Sequence, residues 1–392
     1  MKILRSIHTI NPDLGGPIES VMQSSAALAR RGHEVEIVSL DAPADAWVRS
    51  CPVPVHALGP GRGNYGYAPR FSRWIQERHA RYDALIVQGL WQYNSFGVWR
   101  AVHGTRTPYF VFPHGMLDPW FKRTYPGKHL KKLLYWPWAE YRVLRDAKAV
   151  LFTSEEERHS ARESFSLYQC NEVVVNYGTA APEIDLAAAR EDFFANFPQL
   201  RSRRFLLFLG RLHEKKGCEL LLEAFTDLRR AAGNQAPDLV LAGPCADDGY
   251  RKRLAQMAAA ASGITFTGML AGPQKWGALS AAEAFVLPSH QENFGIAVVE
   301  ALACGTPVLI SNKVNIWREI DAAEAGYVED DDLAGTARLI ERWMGTVPGV
   351  RAAMKKSARQ CFVRNFEIGR ATDSLLEVLT GRATSFRENP HS

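Results

Sequence analysis

One stretch decides the fold of this chain: Pro288-Ser-His-Gln-Glu-Asn-Phe-Gly-Ile-Ala-Val-Val-Glu-Ala-Leu-Ala-Cys-Gly-Thr-Pro-Val308. It follows the apolar run Ala284–Leu287, which is typical of a buried strand. It then supplies an acid (Glu292), a small-residue turn, an apolar helix and a second acid (Glu300), before glycine and proline end the helix. Two carboxylates therefore flank a helix N-terminus at the end of a strand, where an open parallel sheet binds an anionic ligand.

The spacing of the two acids suits a particular kind of ligand. Six residues separate Phe294 from Glu300, which corresponds to roughly 9 Å of helix. A pyrophosphate separates a sugar from a ribose by about that reach, and amides at a helix start suit phosphates. Glu292 and Glu300 could then accept hydrogen bonds from hydroxyls on either side. The alternative is a surface-loop Glu292 and a solvated Glu300, but two acids around one turn favour the ligand.

The stretch resembles the Glu-x7-Glu motif of retaining glycosyltransferases of family 4, which have the two-domain GT-B fold. The resemblance implies that Glu292 contacts the hydroxyls of the donor sugar and that Glu300 holds the ribose. It also implies that the loop amides of Asn293, Phe294 and Gly295 contact the phosphate and the sugar.

A basic loop follows another apolar strand, Phe205–Leu209, and runs from Gly210 to Gly217. Arg211 and Lys216 in this loop could neutralise a diphosphate leaving group, and arginine can grip it with two hydrogen bonds. The loop is similar to the diphosphate grip of the family, although Lys215 could compete for the role of Lys216. With these cations and a helix N-terminus available, we expect no metal and no cofactor.

Two further donor contacts are implied by the resemblance. Gly15 and Gly16 follow the first strand, where glycine lets backbone approach a ligand closely, and the family has a matching pair that faces the donor. Gly268-Met269-Leu270 resembles the segment that contacts the base, so Met269 and Leu270 are assigned there. A plain strand-to-helix turn would explain the glycine pair equally well.

His114 ends the strand Tyr109–Pro113 and precedes a glycine, which is a position that faces a cleft in α/β proteins. A lone histidine is more often structural, but family members carry a histidine near the reacting sugar carbon, so the resemblance implies a catalytic role. Asp118 could orient an acceptor hydroxyl.

Strand and helix patterns alternate along the whole chain and predict parallel sheets covered on both faces. We therefore predict an α/β protein with two doubly wound domains, and the resemblance implies the GT-B class, with Rossmann-like domains and an interdomain cleft. The predicted acceptor domain spans residues 1–185, a linker 186–204, and the nucleotide-sugar domain 205–365. Residues 366–392 form a helix and tail that could return to the first domain, as the resemblance implies.

Composition limits the class of protein. The 392 residues are 46% hydrophobic, which suffices for a sizeable core, and no apolar run is long enough to span a bilayer. The net charge of +5 is too mild for a nucleic-acid-coating protein. Six scattered cysteines without metal-ligand or redox spacing favour a reduced, cytoplasmic protein.

The charge is nevertheless uneven. From Lys122 to Arg145 there are seven lysines and arginines against one acid, Glu140, with aromatic residues among them. Such a segment suits an anionic membrane surface at the inner face of the membrane. It equally suits a solvated helix face whose aromatic side chains pack inward.

Together with the family resemblance, the sequence predicts a retaining, metal-independent glycosyltransferase that moves a hexose-type sugar from a nucleotide diphosphate sugar to an acceptor hydroxyl. From the family resemblance, the acceptor is a lipid-linked glycan or a polysaccharide or lipopolysaccharide intermediate. Two alternatives stay open. One is a nucleotide-sugar epimerase of the same fold, and the other is a non-catalytic sugar-nucleotide-binding subunit of a polysaccharide assembly complex.

Overall fold

The chain folds into two α/β units in a computed structural model that describes residues 1–12, 15–124 and 126–382. Unit 1 contains the residues up to Gly178 together with those from Ile368 onward, and unit 2 contains Thr179–Glu367. Tyr125 of the basic segment and residues 383–392 of the predicted tail lie outside the described residues. No helix in the described part combines the length and apolar character needed to cross a membrane.

Unit 1 is built on a seven-stranded sheet in the order β3-β2-β1-β4-β5-β6-β7, and every pairing is parallel. Its central strands are continuous apolar runs buried along their length, as expected for a parallel sheet covered on both faces. The strands are β1 Lys2–Ile7, β2 Glu34–Ser39, β3 Val55–Ala57, β4 Ala84–Gln88, β5 Tyr109–Phe112, β6 Ala149–Phe152 and β7 Glu172–Val174.

Nine helices of unit 1 are described. The last one packs Leu375, Val378 and Leu379 into a core that also contains Leu28 and Ile3. The helices are α1 Gly16–Arg30, α2 Ala46–Arg49, α3 Pro69–Gln76, α4 Tyr93–Val102, α5 Trp120–Thr124, α6 Pro126–Tyr135, α7 Glu140–Arg145, α8 Glu155–Arg162 and α17 Ile368–Leu379.

Unit 2 has a six-stranded parallel sheet in the order β10-β9-β8-β11-β12-β13. Its strands are β8 Phe205–Leu209, β9 Asp238–Ala242, β10 Ile264–Gly268, β11 Ala284–Leu287, β12 Val308–Ser311 and β13 Gly326–Glu329. Its helices are α9 Leu186–Asn196, α10 Cys218–Ala232, α11 Asp248–Ala258, α12 Gly272–Ala281, α13 Ile296–Ala303, α14 Trp317–Ala322, α15 Leu333–Gly345 and α16 Pro348–Cys361, with a π-helical turn at Phe362–Phe366.

The segment expected as a linker, residues 186–204, is structured and belongs to unit 2. Asp185 caps α9 by accepting a hydrogen bond from the amide of Ala187 at 2.8 Å. Ala189 and Phe193 are buried, and α9 lies so close to α12 that a Cβ on Gly277 would come within 2.1 Å of the Ala189 carbonyl oxygen. This helix was not predicted, because alanine-rich sequence does not show the clear polar and apolar faces of an amphipathic helix.

The strand orders place a topological switch point in each sheet. In unit 1, β2 and β3 are added on one side of β1, and β4 to β7 are added on the other side, so the direction changes between β1 and β4. In unit 2 the same change occurs between β8 and β11. Ligands of open α/β sheets bind at the carboxyl ends of the strands at such a point. The switch of unit 2 lies between the two strands whose loops the sequence selected. Both predicted doubly wound folds are confirmed.

Candidate active site

The loops after β8 and β11 touch each other at the switch point of unit 2. Gly217 has a left-handed backbone (φ +68°), and a Cβ there would come within 2.1 Å of the Pro288 carbonyl oxygen. The amide of His290 and the hydroxyl of Ser289 donate to the Lys215 carbonyl oxygen at 2.8 and 3.0 Å. The basic loop and the acidic loop are therefore fastened together by their backbones, and Gly217 is required for that approach.

The contact between the loops brings two predicted catalytic residues together. The ammonium of Lys216 contacts the Glu292 carboxylate as an ion pair, and both side chains are more than four-fifths buried. Burial, together with the nearby Lys215 and Arg211, lowers the pKa of Lys216 to about 7. The contacting Glu292 carboxylate favours the charged form of Lys216. Of the two lysines considered for this role, Lys216 is the one that reaches Glu292.

The other residues of the acidic loop shape the start of α13. Gly295 is the N-cap residue and has a left-handed conformation (φ +71°). Because glycine has no side chain, the start of the helix has no side-chain cap. Phe294 is buried and packs edge-on against Phe366 at 5.8 Å between ring centroids. Asn293 accepts a hydrogen bond from Asn315 at 3.3 Å. First-turn amides lack intrahelical acceptors, so this end of α13 carries partial positive charge.

Glu300 lies on the buried face of α13 rather than on its solvent-exposed face. Its side chain is only 2% exposed, and its carboxylate contacts the ammonium of Lys275 on α12 at 2.6 Å. Lys275 could not be predicted from the sequence, because no motif joins it to Glu300, which lies 25 residues later. Each acid of the Glu-x7-Glu motif thus has a buried or half-buried lysine as its partner.

The remaining predicted residues of unit 2 differ in exposure. Arg211 is exposed and close enough to Lys216 to affect the pKa of that lysine. In the loop after β10, Met269 is 65% exposed whereas Leu270 is buried. In the described part of the chain, no three His, Cys, Asp or Glu side chains come together as a metal site would require. The acidic run Asp330–Asp332 ends in the cap of α15, where Asp332 accepts from the Gly335 amide at 2.6 Å.

In unit 1, His114 is held in an uncommon backbone conformation with φ of +52°. Its Nε2 lies 2.7 Å from Oε1 of Gln88, and the Gly115 amide donates to buried Glu157 at 2.6 Å. Burial and the charge of Arg5 lower the pKa of His114 to about 4. His114 is therefore neutral at pH 7, donates from Nε2 to Gln88, and keeps an acceptor lone pair on Nδ1.

Sequence reasoning missed Gln88, although a signal existed. Gln88 is the polar last residue of the otherwise apolar strand β4, and it pairs in register with Phe112 on β5, two residues before His114. Polar residues that end neighbouring parallel strands meet at one edge of the sheet.

The other predicted residues of unit 1 make local contacts. Gly15 caps α1 with φ of +89°, and Gly16 is its first residue, with open space around both Cα atoms. Asp118 accepts a hydrogen bond from the Trp120 amide at 2.8 Å, which positions the start of α5. Gly15, Gly16, His114 and Asp118 belong to unit 1, whereas Arg211, Lys216 and Glu292 belong to unit 2.

Comparison with known proteins gives the family. Residues 189–360 match the family model described as glycosyl transferases group 1, and residues 15–178 match the model of the glycosyl transferase 4-like domain. The chain contains a glycosyl transferase 4-like domain followed by a group 1 glycosyl transferase domain. The resemblance noted in the sequence is thereby confirmed, and the protein is a glycosyltransferase that uses a nucleotide-sugar donor.

Similar proteins cover nearly the full chain. A GDP-mannose-dependent α-(1-6)-phosphatidylinositol dimannoside mannosyltransferase of Mycobacterium tuberculosis is 26% identical over 99% of this chain and 98% of its own length. A D-inositol 3-phosphate glycosyltransferase of Gordonia bronchialis is 25% identical over 95% of this chain and 85% of its own.

Two solved structures show the same fold. The sucrose-phosphate synthase of Thermosynechococcus elongatus superposes with a TM-score of 0.78 at 20% identity, covering 97% of this chain and 98% of its own. An Anabaena protein in complex with UDP and glucose gives a TM-score of 0.75 at 17% identity, covering 97% and 100%.

Proposed function

We propose that the protein is a retaining, metal-independent glycosyltransferase that transfers a hexose from a nucleotide diphosphate sugar to a hydroxyl of a lipid-linked glycan. The observation that supports this most directly is the Lys216–Glu292 pair at the switch point, beside the start of α13. A buried cation, an exposed arginine and a helix N-terminus together suit a diphosphate, and the paired acid suits sugar hydroxyls.

Donor binding exchanges the partners of this pair. The diphosphate replaces Glu292 as the ion-pair partner of the Lys216 ammonium. The Glu292 carboxylate can then accept a hydrogen bond from a sugar hydroxyl. Negative charge grows on the diphosphate as the bond to the anomeric carbon breaks, and Lys216, Arg211 and the first-turn amides of α13 stabilise it. The new bond from the acceptor oxygen forms on the same face, and the acceptor proton passes to the departing phosphate oxygen.

Glu300 and His114 take supporting roles in this proposal. Glu300 would accept from the ribose hydroxyls after its pairing with Lys275 rearranges, and Lys275 holds it in place until then. His114 is neutral, so Nδ1 can accept from a sugar hydroxyl without adding positive charge near the reacting carbon. Asn293, Phe294, Gly295, Met269, Leu270, Gly15 and Gly16 complete the proposed donor contacts, and Asp118 the acceptor contacts.

The acceptor class is supported by a surface of unit 1. Leu130, Leu133, Leu134 and Trp138 are exposed, and we call them, together with Lys131 and Arg142 of the same segment, the basic–apolar face. Leu134 is 72% and Trp138 69% exposed. Part of the segment packs inward instead, since Trp136 is buried and Glu140 is fully buried.

Because its one acid points inward, the outward side of the segment carries basic charge beside apolar side chains. Such a surface suits anionic lipid. The mycobacterial relative is described as acting on a phosphatidylinositol dimannoside, which supports a lipid-linked acceptor. We therefore propose that the enzyme works at the inner face of the membrane.

Transfer is tested with a donor panel that includes GDP-mannose and UDP-glucose, with and without glycolipid acceptors, in EDTA. We expect acceptor-dependent product whose anomeric configuration, measured by NMR, equals that of the donor. Inverted product would contradict retention, and loss of turnover in EDTA would contradict metal independence. An isomerised donor without acceptor would identify an epimerase, and binding without any turnover a non-catalytic subunit.

Lipid binding is tested by co-sedimentation with vesicles of phosphatidylglycerol and phosphatidylcholine. Lys131→Glu combined with Leu134→Ser should reduce the bound fraction. Lys355→Glu, an exposed lysine on α16, is the matched control and should bind as the parent does. Absence of binding by the parent would end this part of the proposal while leaving the transfer reaction intact.

A further inference from the structure

A small cavity lies inside unit 1 between the sheet, α1 and α17. Its volume is about 20 Å³, and it is lined among others by Arg5, Ser24, Gln88, Phe112, Tyr177 and Thr372. A single water needs about 10–15 Å³ on this measure. The cavity therefore accommodates one water-sized or slightly larger species, and a phosphate or sulfate is too large for it.

Arg5 brings an uncompensated positive charge to this cavity. It lies on β1 between Ile3 and Ile7, on the face where an apolar residue is expected, and its side chain is 2% exposed. Nη1 donates to the Ser24 hydroxyl at 2.8 Å, and that hydroxyl donates in turn to the Ser20 carbonyl oxygen at 2.6 Å. Nε and Nη2 of Arg5 have no acceptor among the described residues. No carboxylate of the described residues forms an ion pair with Arg5. A buried charge without a counter-charge is costly.

A second donor lines the same cavity. Gln88 is 4% exposed, and its Oε1 is occupied by the His114 ring. Its Nε2 has no acceptor among the residues that the structure describes. The cavity thus receives a guanidinium and a carboxamide N–H group. A neutral water would satisfy these donors and leave the charge uncompensated, whereas an anion would do both.

We propose that this cavity binds a monatomic monoanion, a halide such as chloride, between the guanidinium of Arg5 and the carboxamide of Gln88. The halide neutralises Arg5 inside the protein and joins the end of β4 to α17, the helix with which the chain re-enters unit 1. It also fixes the orientation of the Gln88 carboxamide, which hydrogen-bonds to His114. The proposal concerns a structural ion and does not depend on the transfer reaction.

Crystals of the wild-type protein grown in sodium bromide test the site directly. The anomalous difference map should show a bromide within hydrogen-bonding distance of Arg5 and Gln88. A map with no bromide in the cavity, or with ordered water alone, would overturn the proposal. In solution, the Tm should be higher in chloride than in methanesulfonate at the same ionic strength. The Tm should rise by roughly 3–5 °C for each tenfold increase in chloride concentration above the Kd.

Two buried arginines provide the matched comparison. Arg5→Met should abolish the chloride dependence of Tm. Arg229→Met, at an arginine that is 6% exposed but already paired with Asp238 at 2.6 Å, should keep the wild-type dependence. If Arg5→Met does not fold, Gln88→Leu replaces it and should weaken halide affinity. Equal chloride dependence in wild type and in the folded cavity variant would refute the site.

Discussion

Glu292→Gln should shift the pH dependence of donor binding, because it removes a carboxylate that favours the charged form of Lys216. The substitution preserves the shape of the side chain and removes its charge. In the wild-type protein, burial and the repulsion of Lys215 and Arg211 lower the pKa of Lys216 to about 7, and loss of the Glu292 carboxylate should lower it further. Only the ammonium form can pair with a diphosphate.

The size of the effect follows from that pKa. With a pKa of about 7, roughly nine-tenths of Lys216 is protonated at pH 6 and roughly one-tenth at pH 8. The apparent Kd is the intrinsic Kd divided by the competent fraction, so affinity should weaken about tenfold between these two pH values. That tenfold change is expected for the wild-type protein. In Glu292→Gln the pKa of Lys216 should lie below this value, so the same loss of affinity should occur at lower pH.

Isothermal titration calorimetry between pH 6 and 8 measures this, using whichever of GDP-mannose or UDP-glucose the wild-type protein binds. A nucleotide sugar is preferred to a nucleoside diphosphate, since its phosphates do not titrate in this range. Glu214→Gln is the control and should keep the wild-type pH profile: this exposed acid lies in the basic loop with Lys216 but pairs with Arg253 at 2.8 Å. A Kd of Glu292→Gln with the same pH profile as the wild type would refute the role of the carboxylate.

Two further predictions concern stability. Burial raises the pKa of Glu140 to about 7, so the folded state binds more protons than the unfolded state between about pH 4.5 and 7, and stability should fall by up to ~3 kcal/mol as pH rises through this window. Glu140→Gln should flatten that decline in urea unfolding curves; an unchanged slope would contradict it. Lys275→Met leaves the buried Glu300 carboxylate without its lysine and should cost about 3–5 kcal/mol, most of it recovered by adding Glu300→Met. A loss under about 1 kcal/mol would show that the pair does not hold the site.

The sheets could be predicted from sequence because their strands are short apolar runs between turn residues. Ala84–Gln88 and Ala284–Leu287 are buried along their whole length, so their hydrophobic signal is continuous. Strand order is different, since the pairing of β8 with β11 joins residues about 80 apart and no local pattern encodes it. Only the doubly wound class was predicted, from strand–helix alternation and from the family resemblance.

The candidate site was predictable where the chemistry lies in a loop. Lys216 and Glu292 follow strands of one sheet and have distinctive neighbours, so their loops could be selected separately. Their contact, and the need for Gly217 beside Pro288, depend on the close approach of two loops far apart in sequence. Lys275 lies in a helix without any motif, and its partnership with Glu300 comes from helix packing that sequence does not show.

Charge balance gives a way to find such partners in advance. A carboxylate in a buried site is either paired with a cation or kept protonated, as burial favours for Glu140, because an unpaired buried charge costs several kcal/mol. The two acids of the Glu-x7-Glu motif lie eight residues apart, and the lysine of the basic loop pairs with Glu292. A cation for Glu300 therefore has to come from another element, and Lys275 on α12 supplies it. The same reasoning applied to Arg5 finds no acid among the described residues, which is why an external anion is the remaining counter-charge for that arginine.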